Sequence, residues 1–270
     1  MSRSSQHTLW LWVEGMFPRR LDYFLLSKGL VASPAELLAG KTTTRDLRIV
    51  LMEPNMSGSG PPWIFNPAED TLTPGTSTPC LRIACPSTGT EKWVHESTAI
   101  LCYLEDVYAS SGPETQPKAA MDRARMNDRL VAINEGFIHG VVYMKHAIPG
   151  TGFWSGLKDE DRSLAAARNG LQSMIIVFNK VQAWSEDSLE STGWLTPGID
   201  GPGLVDFSLA ALCRYTELCY GWDILEDEKL RQLAEWYRRF RTLPWWGGFE
   251  ERQDVKPKNL AKEASKVGNR

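Results

Sequence analysis

The chain has 270 residues, 42% apolar and 23% charged, enough for one large globular domain or two modest ones. A net charge of −3 gives no electrostatic ground for nucleic-acid binding, and no apolar run reaches membrane-spanning length. Five widely spaced cysteines without a CxxC pair (Cys80, Cys85, Cys102, Cys213 and Cys219) exclude a zinc-type cluster and a disulfide framework.

The first apolar run, residues 9–13, is too short for a secretory core and meets Glu14 at once, so a soluble, cytoplasmic protein is expected. It reads as a strand that Gly15 breaks. Pro18 suits the first helical position, Leu21, Phe24 and Leu25 share one face of the helix, and Gly29 stops it. Such a junction aims backbone N–H groups and a partial positive charge at whatever lies in front. Arg19 and Arg20, in the first turn, oppose their own helix dipole unless an anion faces them.

"DLRIVLMEP" (46–54) is a second strand that Pro54 ends, and "MSGSGPP" and "NPAEDTLTPGTSTP" are loops. Asn55-Met56-Ser57 matches a glycosylation sequon, a pattern frequent by chance. "CLRIA" and "KWV" are short strands. "ESTAILCYLEDVYAS" is a helix with Ile100, Leu101, Leu104, Val107 and Tyr108 inward. A polar Gly/Pro linker at 110–118 then marks a boundary. Beyond it lie helical segments at 119–147, 158–187, 205–221 and 226–241, the last with Leu230, Leu233, Trp236, Tyr237 and Phe240 at helical spacing. The expected plan is an α/β domain over 1–110, an all-helical domain over 119–250 and a flexible basic tail over 251–270.

Three ordered segments resemble the glutathione transferase superfamily: "RRLDYFLLSKGL", then "TPCLRI" followed by "HESTAILCYLEDVY", then "GPGLVDFSLAAL" with "WYRRF" after it. The resemblance covers roughly residues 8–250. It implies a thioredoxin-like domain that binds glutathione and a helical domain that takes an electrophilic small molecule. By the same resemblance Thr78-Pro79 carries a cis bond, with Ser77, Thr78 and Pro79 meeting the glutathione backbone. Glu96 would take the γ-glutamyl ammonium, and Ser97 the carboxylate at a helix N-terminus. Both could equally serve only as an N-cap pair. Asp206 resembles the family's buried capping aspartate and is structural, although Gly203 stands where a Ser or Thr cap is usual.

The chain departs from the family at the sulfur. The thiol-activating serine or cysteine would fall near Gly15, and neither Gly15, Met16 nor Phe17 has a side-chain donor. Tyr23 lies well inside the helix and reads as packed; Ser2, Ser4 and Ser5 precede the first strand. Backbone groups around Gly15, Phe17 and Pro18, with Arg20 as a candidate helper, are left to lower the thiol pKa. No cation follows the second strand for the glycyl carboxylate, so Lys41, Arg19, Arg20 or backbone near Asn66 would stand in. Met16, Phe17, Phe137, His139, Tyr143 and His146 are candidate contacts for the second substrate, with inter-domain packing as the alternative for the last four. Neither a metal nor a membrane is expected.

The resemblance implies conjugation, or cis–trans isomerisation of a conjugated C=C with glutathione as cofactor. The long loops, the 11 tryptophans and the divergent turn are similar to fungal members of secondary metabolism, and the family habit implies a homodimer. A non-catalytic ligand-binding or regulatory member is the contrasting reading.

Overall fold

The computed structural model describes residues 5–55, 63–64, 77–148 and 150–251. The sequon beyond Asn55, residues Ser2 and Ser4, most of the two loops after the second strand, Asn66 and the stretch from 252 lie outside the described residues. The chain forms two units, one running to Thr115 and resuming at Pro244, the other spanning Gln116–Leu243.

The first unit contains β1 (Gln6–Leu11), α1 (Met16–Lys28), α2 (Pro34–Leu38), β2 (Leu47–Leu51), β3 (Glu53–Pro54), β4 (Trp63–Ile64), β5 (Cys80–Cys85), β6 (Thr90–Val94) and α3 (Ser97–Val107). A mixed sheet runs β2-β1-β5-β6, with β1 parallel to β2 and the other pairs antiparallel; β3 and β4 form a separate two-residue pair. Leu9 lies opposite Ile49 and Leu81, and Trp10 opposite Val50 and Cys80, all of them buried. With both faces of β1 covered, the strand reads as a continuous apolar run rather than an alternating one. On the Trp10 face, Trp12 and Trp93 pack against Trp10, Val50 and Met52.

Gly15 is the N-cap of α1, so Pro18 occupies the third helical position, not the first. It is tolerated there because that N–H still precedes the helix's own hydrogen-bond ladder. Gly29 closes α1 in the left-handed region at φ 70°, its N–H reaching Leu25 and Leu26 carbonyls. Of the predicted inward face of α3, Ile100, Leu101, Leu104 and Tyr108 are buried, but Val107 is 41% exposed. It sits on the last turn of α3.

The 110–118 linker is pinned. Lys28, wholly buried, donates to Glu105 at 2.9 Å and to the Pro113 carbonyl at 2.9 Å. Thr115 in turn donates to Glu105 through its hydroxyl (2.7 Å) and backbone N–H (3.2 Å). Gly112, at φ 79°, passes so close to the Lys28 carbonyl that a Cβ would stand 2.4 Å from the oxygen.

The second unit holds α4 (Ala120–Ala147), α5 (Gly152–Ser155), α6 (Leu164–Trp184), α7 (Glu186–Ser191), α8 (Leu204–Tyr220) and α9 (Arg231–Phe240). The expected 158–187 helix is shorter: it starts at the Ser163 cap, and a break at Ser185 separates α6 from α7. Helices α4 and α6 approach closely through Gly136, beneath the Phe178 ring, and Gly170, against the α4 backbone. Asp206, fully buried in α8, accepts five hydrogen bonds, from Leu195 N (2.8 Å), Thr196 N (3.1 Å), Thr196 Oγ1 (2.8 Å), Gly203 N (3.0 Å) and Trp236 Nε1 (2.7 Å). The cap that Gly203 cannot supply comes from Thr196, whose hydroxyl accepts from Val205 N at 3.1 Å.

The sequence pattern assigns 119–250 to the helical domain. In the structure Pro244 onwards clusters with the first unit, because α10 (Trp246–Glu250) anchors on α1. Tyr23 stacks on Trp245 at 5.2 Å and meets Phe249 edge-on. Among the described residues no helix is long and apolar enough to cross a membrane.

Candidate active site

β1 ends in a turn closed by Gly15 N donating to the Trp12 carbonyl at 2.8 Å, and α1 starts immediately beyond it. The helix begins with no side-chain cap and no acidic residue in its first turn, so its positive end is left uncompensated there. The Thr78–Pro79 bond is cis. Buried Thr78 is tied to the same strand end, its hydroxyl accepting from Trp12 N at 3.2 Å and donating to the Trp10 carbonyl at 3.3 Å. Ser77, just before it, is exposed, and Pro79 is buried.

The α3 N-terminus completes the arrangement. Glu96 is its N-cap by backbone geometry, yet its side chain makes no cap hydrogen bond. Ser97, the first helical residue, is 6% exposed, and its hydroxyl makes no hydrogen bond among the described residues. Neither side chain is therefore committed to capping. Arg20, buried in the first turn of α1, feels the Glu96 charge and lies 5.1 Å from the centroid of the Phe17 ring. Burial lowers the Arg20 pKa to about 10, with Glu96 pulling it back up, so the side chain is a cation at neutral pH. Arg20 thus places a cation of the α1 start in the field of the α3 N-cap.

Arg19 has a different partner. Its Nη1 is ion-paired with Glu250 of α10, both wholly buried, while Nη2 reaches the Glu14 carbonyl at 3.5 Å. The anion called for by an arginine in the first turn is supplied from within the chain. Tyr23 donates to the same Glu250 oxygen at 2.5 Å and is packed, as expected. Lys41 is exposed beyond α2, and its side chain makes no ion pair or hydrogen bond among the described residues.

Two features of this region were not foreseen. A Cβ on Gly15 would stand 2.6 Å from Trp12 Cε3 and 3.0 Å from Pro18, although the backbone there (φ −72°, ψ 145°) suits any residue. Trp12 fills the space a side chain at position 15 would need, so the missing hydroxyl and the tryptophan go together. Gly15→Ser is expected to lower stability by about 1–3 kcal/mol through overpacking. In a Trp12→Val background most of that loss should vanish, and a urea-denaturation double-mutant cycle showing no coupling would refute the pairing. The second feature is a Cys80–His95 contact, Sγ to Nδ1 at 3.6 Å, beside Pro79. Burial pushes the Cys80 thiol up to about 11, which makes it inert rather than nucleophilic.

Met16 and Phe17 belong to the first unit, and Phe137, His139, Tyr143 and His146 to α4 of the second. Tyr143 packs on Trp222 with ring centroids 4.7 Å apart. His146 Nδ1 accepts from Ser163 N at 3.1 Å, which holds the start of α6. Phe137 and His139 are half-buried.

No family model and no curated protein sequence matches the chain. Solved structures do. It aligns with glutathione transferase Omega 3C from Trametes versicolor at TM-score 0.59 and 12% identity, covering 99% of this chain and 93% of that one. An unclassified glutathione S-transferase from Bombyx mori gives 0.58 and 20%, covering 95% and 96%. Maleylacetoacetate isomerase from Anaeromyxobacter dehalogenans, with glutathione bound in its active site, gives 0.57 and 17%, covering 95% and 100%. The chain has the glutathione S-transferase fold, a thioredoxin-like unit with a mixed four-stranded sheet and an all-helical unit.

Proposed function

We propose that the first unit binds glutathione and that the chain is a glutathione-dependent transferase or isomerase acting on an electrophilic small molecule. The observation that carries this is the uncommitted Glu96–Ser97 pair at the start of α3, with buried Arg20 of α1 in its field. The residues fit the ligand by chemistry. Glu96 can take an ammonium, the Ser97 hydroxyl and the α3 N-terminal N–H groups a carboxylate, and the Thr78 backbone an extended peptide. Structural neighbours from Methylobacterium radiotolerans and Xanthomonas axonopodis carry glutathione sulfonate and glutathione.

When bound, glutathione would supply a thiol whose thiolate is a sulfur nucleophile toward an electrophilic carbon. The chain's part is to favour that anion without a side-chain hydroxyl: the start of α1 offers its uncompensated dipole, and Arg20 adds a cation held by burial. A shift of one pKa unit requires ~1.4 kcal/mol, within the range of a partly buried helix end. His139 and Tyr143 are the proposed polar contacts for the electrophile. Adduct retention gives conjugation; addition and release at a conjugated C=C gives isomerisation, the activity named for the Anaeromyxobacter neighbour. A cytoplasmic homodimer serving secondary metabolism completes the proposal. The alternative, a ligand-binding member without chemistry, is favoured by one observation, the crowding of position 15 by Trp12 and Pro18.

Ser97→Ala tests the reading by calorimetry. Loss of a hydrogen bond to a charged carboxylate, about 1.5–3 kcal/mol, should weaken glutathione about 10–100-fold at unchanged Tm. Equal affinity in both proteins would remove Ser97 from the ligand contacts, and no binding by the parent protein would end the proposal.

A further inference from the structure

Beneath α1 lies a buried charge cluster that the proposed chemistry does not use. Arg19, Asp22 and Tyr23 of α1 meet Glu250 of α10, and all four are buried, Arg19, Asp22 and Glu250 at 0% exposure. Arg19 and Tyr23 both address the same Glu250 oxygen. Asp22 stands one turn beyond Arg19, and neither of its oxygens has a hydrogen-bond partner among the described residues. Arg19 Nε, equally buried, also has none. A donor and an acceptor on adjacent turns of one helix are thus both unsatisfied, a latent pair at the spacing at which Arg and Asp can meet.

We propose that α10 is a proton-linked strap on α1: Asp22 and Glu250 compete for Arg19, and loss of the Asp22 proton releases Glu250 and opens the strap. With α10 seated, Arg19 is matched by Glu250 and a second carboxylate would be an uncompensated buried charge, so Asp22 keeps its proton. Burial pushes the Asp22 carboxyl well above the usual range, Arg19 opposes this, and Glu250 adds to it. On α3, Glu105 is paired with Lys28 and Asp106 is exposed, while Glu96, the N-cap, lies in the field of Arg20. Glu36, the titratable residue of α2, makes no ion pair among the described residues. When Asp22 ionises it takes the spare Nε–H of Arg19 and repels Glu250.

The sign follows from linkage. Asp22 has the higher pKa with the strap seated, so seating takes up a proton. Seating is fully favoured below the ordinary carboxylate value and is lost as pH rises toward the seated-state pKa. Opening also reaches the turn before α1, because Arg19 Nη2 touches the Glu14 carbonyl.

Amide exchange of residues 246–250 in the full chain without ligand, expressed as protection factors, tests this apart from the glutathione reading. Protection is expected to fall with rising pH by up to about tenfold per unit, the limit for one proton. Asp22→Asn should make it high and flat, and Glu250→Gln, which frees Arg19 for Asp22, should make it low. A flat profile in the unsubstituted protein, or an unchanged slope in Asp22→Asn, overturns the proposal. Should Asp22→Asn not fold, carboxyl-carbon NMR of the unsubstituted chain decides: a protonated Asp22 at neutral pH supports the strap, and an ionised one refutes it.

Discussion

Asp206→Ala should destabilise the helical unit by about 3–5 kcal/mol, the range for removing one partner of a buried charged network. Five donors converge on this carboxylate from three places: the Leu195–Thr196 backbone and hydroxyl, the Gly203 N–H at the α8 cap, and the Trp236 indole of α9. Alanine would leave all five buried without an acceptor, each at a cost of about 1–3 kcal/mol before relaxation. Burial raises the Asp206 pKa even though these hydrogen bonds pull it down, so a neutral isostere is the milder change. Asp206→Asn, which keeps one acceptor oxygen, should lose roughly half as much. Denaturant unfolding followed by far-UV circular dichroism, with amide exchange to locate the effect in α8 and α9, would measure this. A loss under about 1 kcal/mol for the alanine variant would show that water replaces the carboxylate and that the hub does not hold the unit.

Glu105→Ala is the counterpart in the first unit, again with an expected loss of about 3–5 kcal/mol, because it strands the buried Lys28 ammonium. Glu105 ties the end of α1 to α3 and, through Thr115, fixes the linker. The starts of these two helices carry the proposed glutathione contacts, so the variant should also weaken glutathione binding although Glu105 is no candidate contact. Lys28→Met with Glu105→Leu, an apolar pair of similar volume, should recover much of the stability. If the single variant matched the parent in both unfolding and calorimetry, the anchor would be refuted.

Local regularities of the chain account for most elements. The 3.6-residue period places α1, α3, α4, α8 and α9, and Gly29 stops α1 in the structure where the sequence says it should. The Glu96–Ser97 pair was legible from its position before an apolar helical run, whereas the open state of both side chains was not. Burial of Arg19 was illegible because its partner, Glu250, lies 231 residues away in sequence. Asp22 looks like an ordinary polar position of an amphipathic helix until α10 covers that face.

Composition, periodicity and turn residues, all short-range quantities, determine here that an α/β unit precedes a helical one, that a helix follows the turn at Gly15, and that residues 15–17 carry no hydroxyl. Folding alone decided that a side chain at that position is crowded: the Trp12 ring occupies its space, held by contacts between strands distant in sequence. It also decided that the first-turn arginines point inward, Arg19 to a carboxylate from the far end of the chain and Arg20 into the field of Glu96. Whether a charge is solvated or paired depends on what the fold brings against it, and a local pattern carries no term for that.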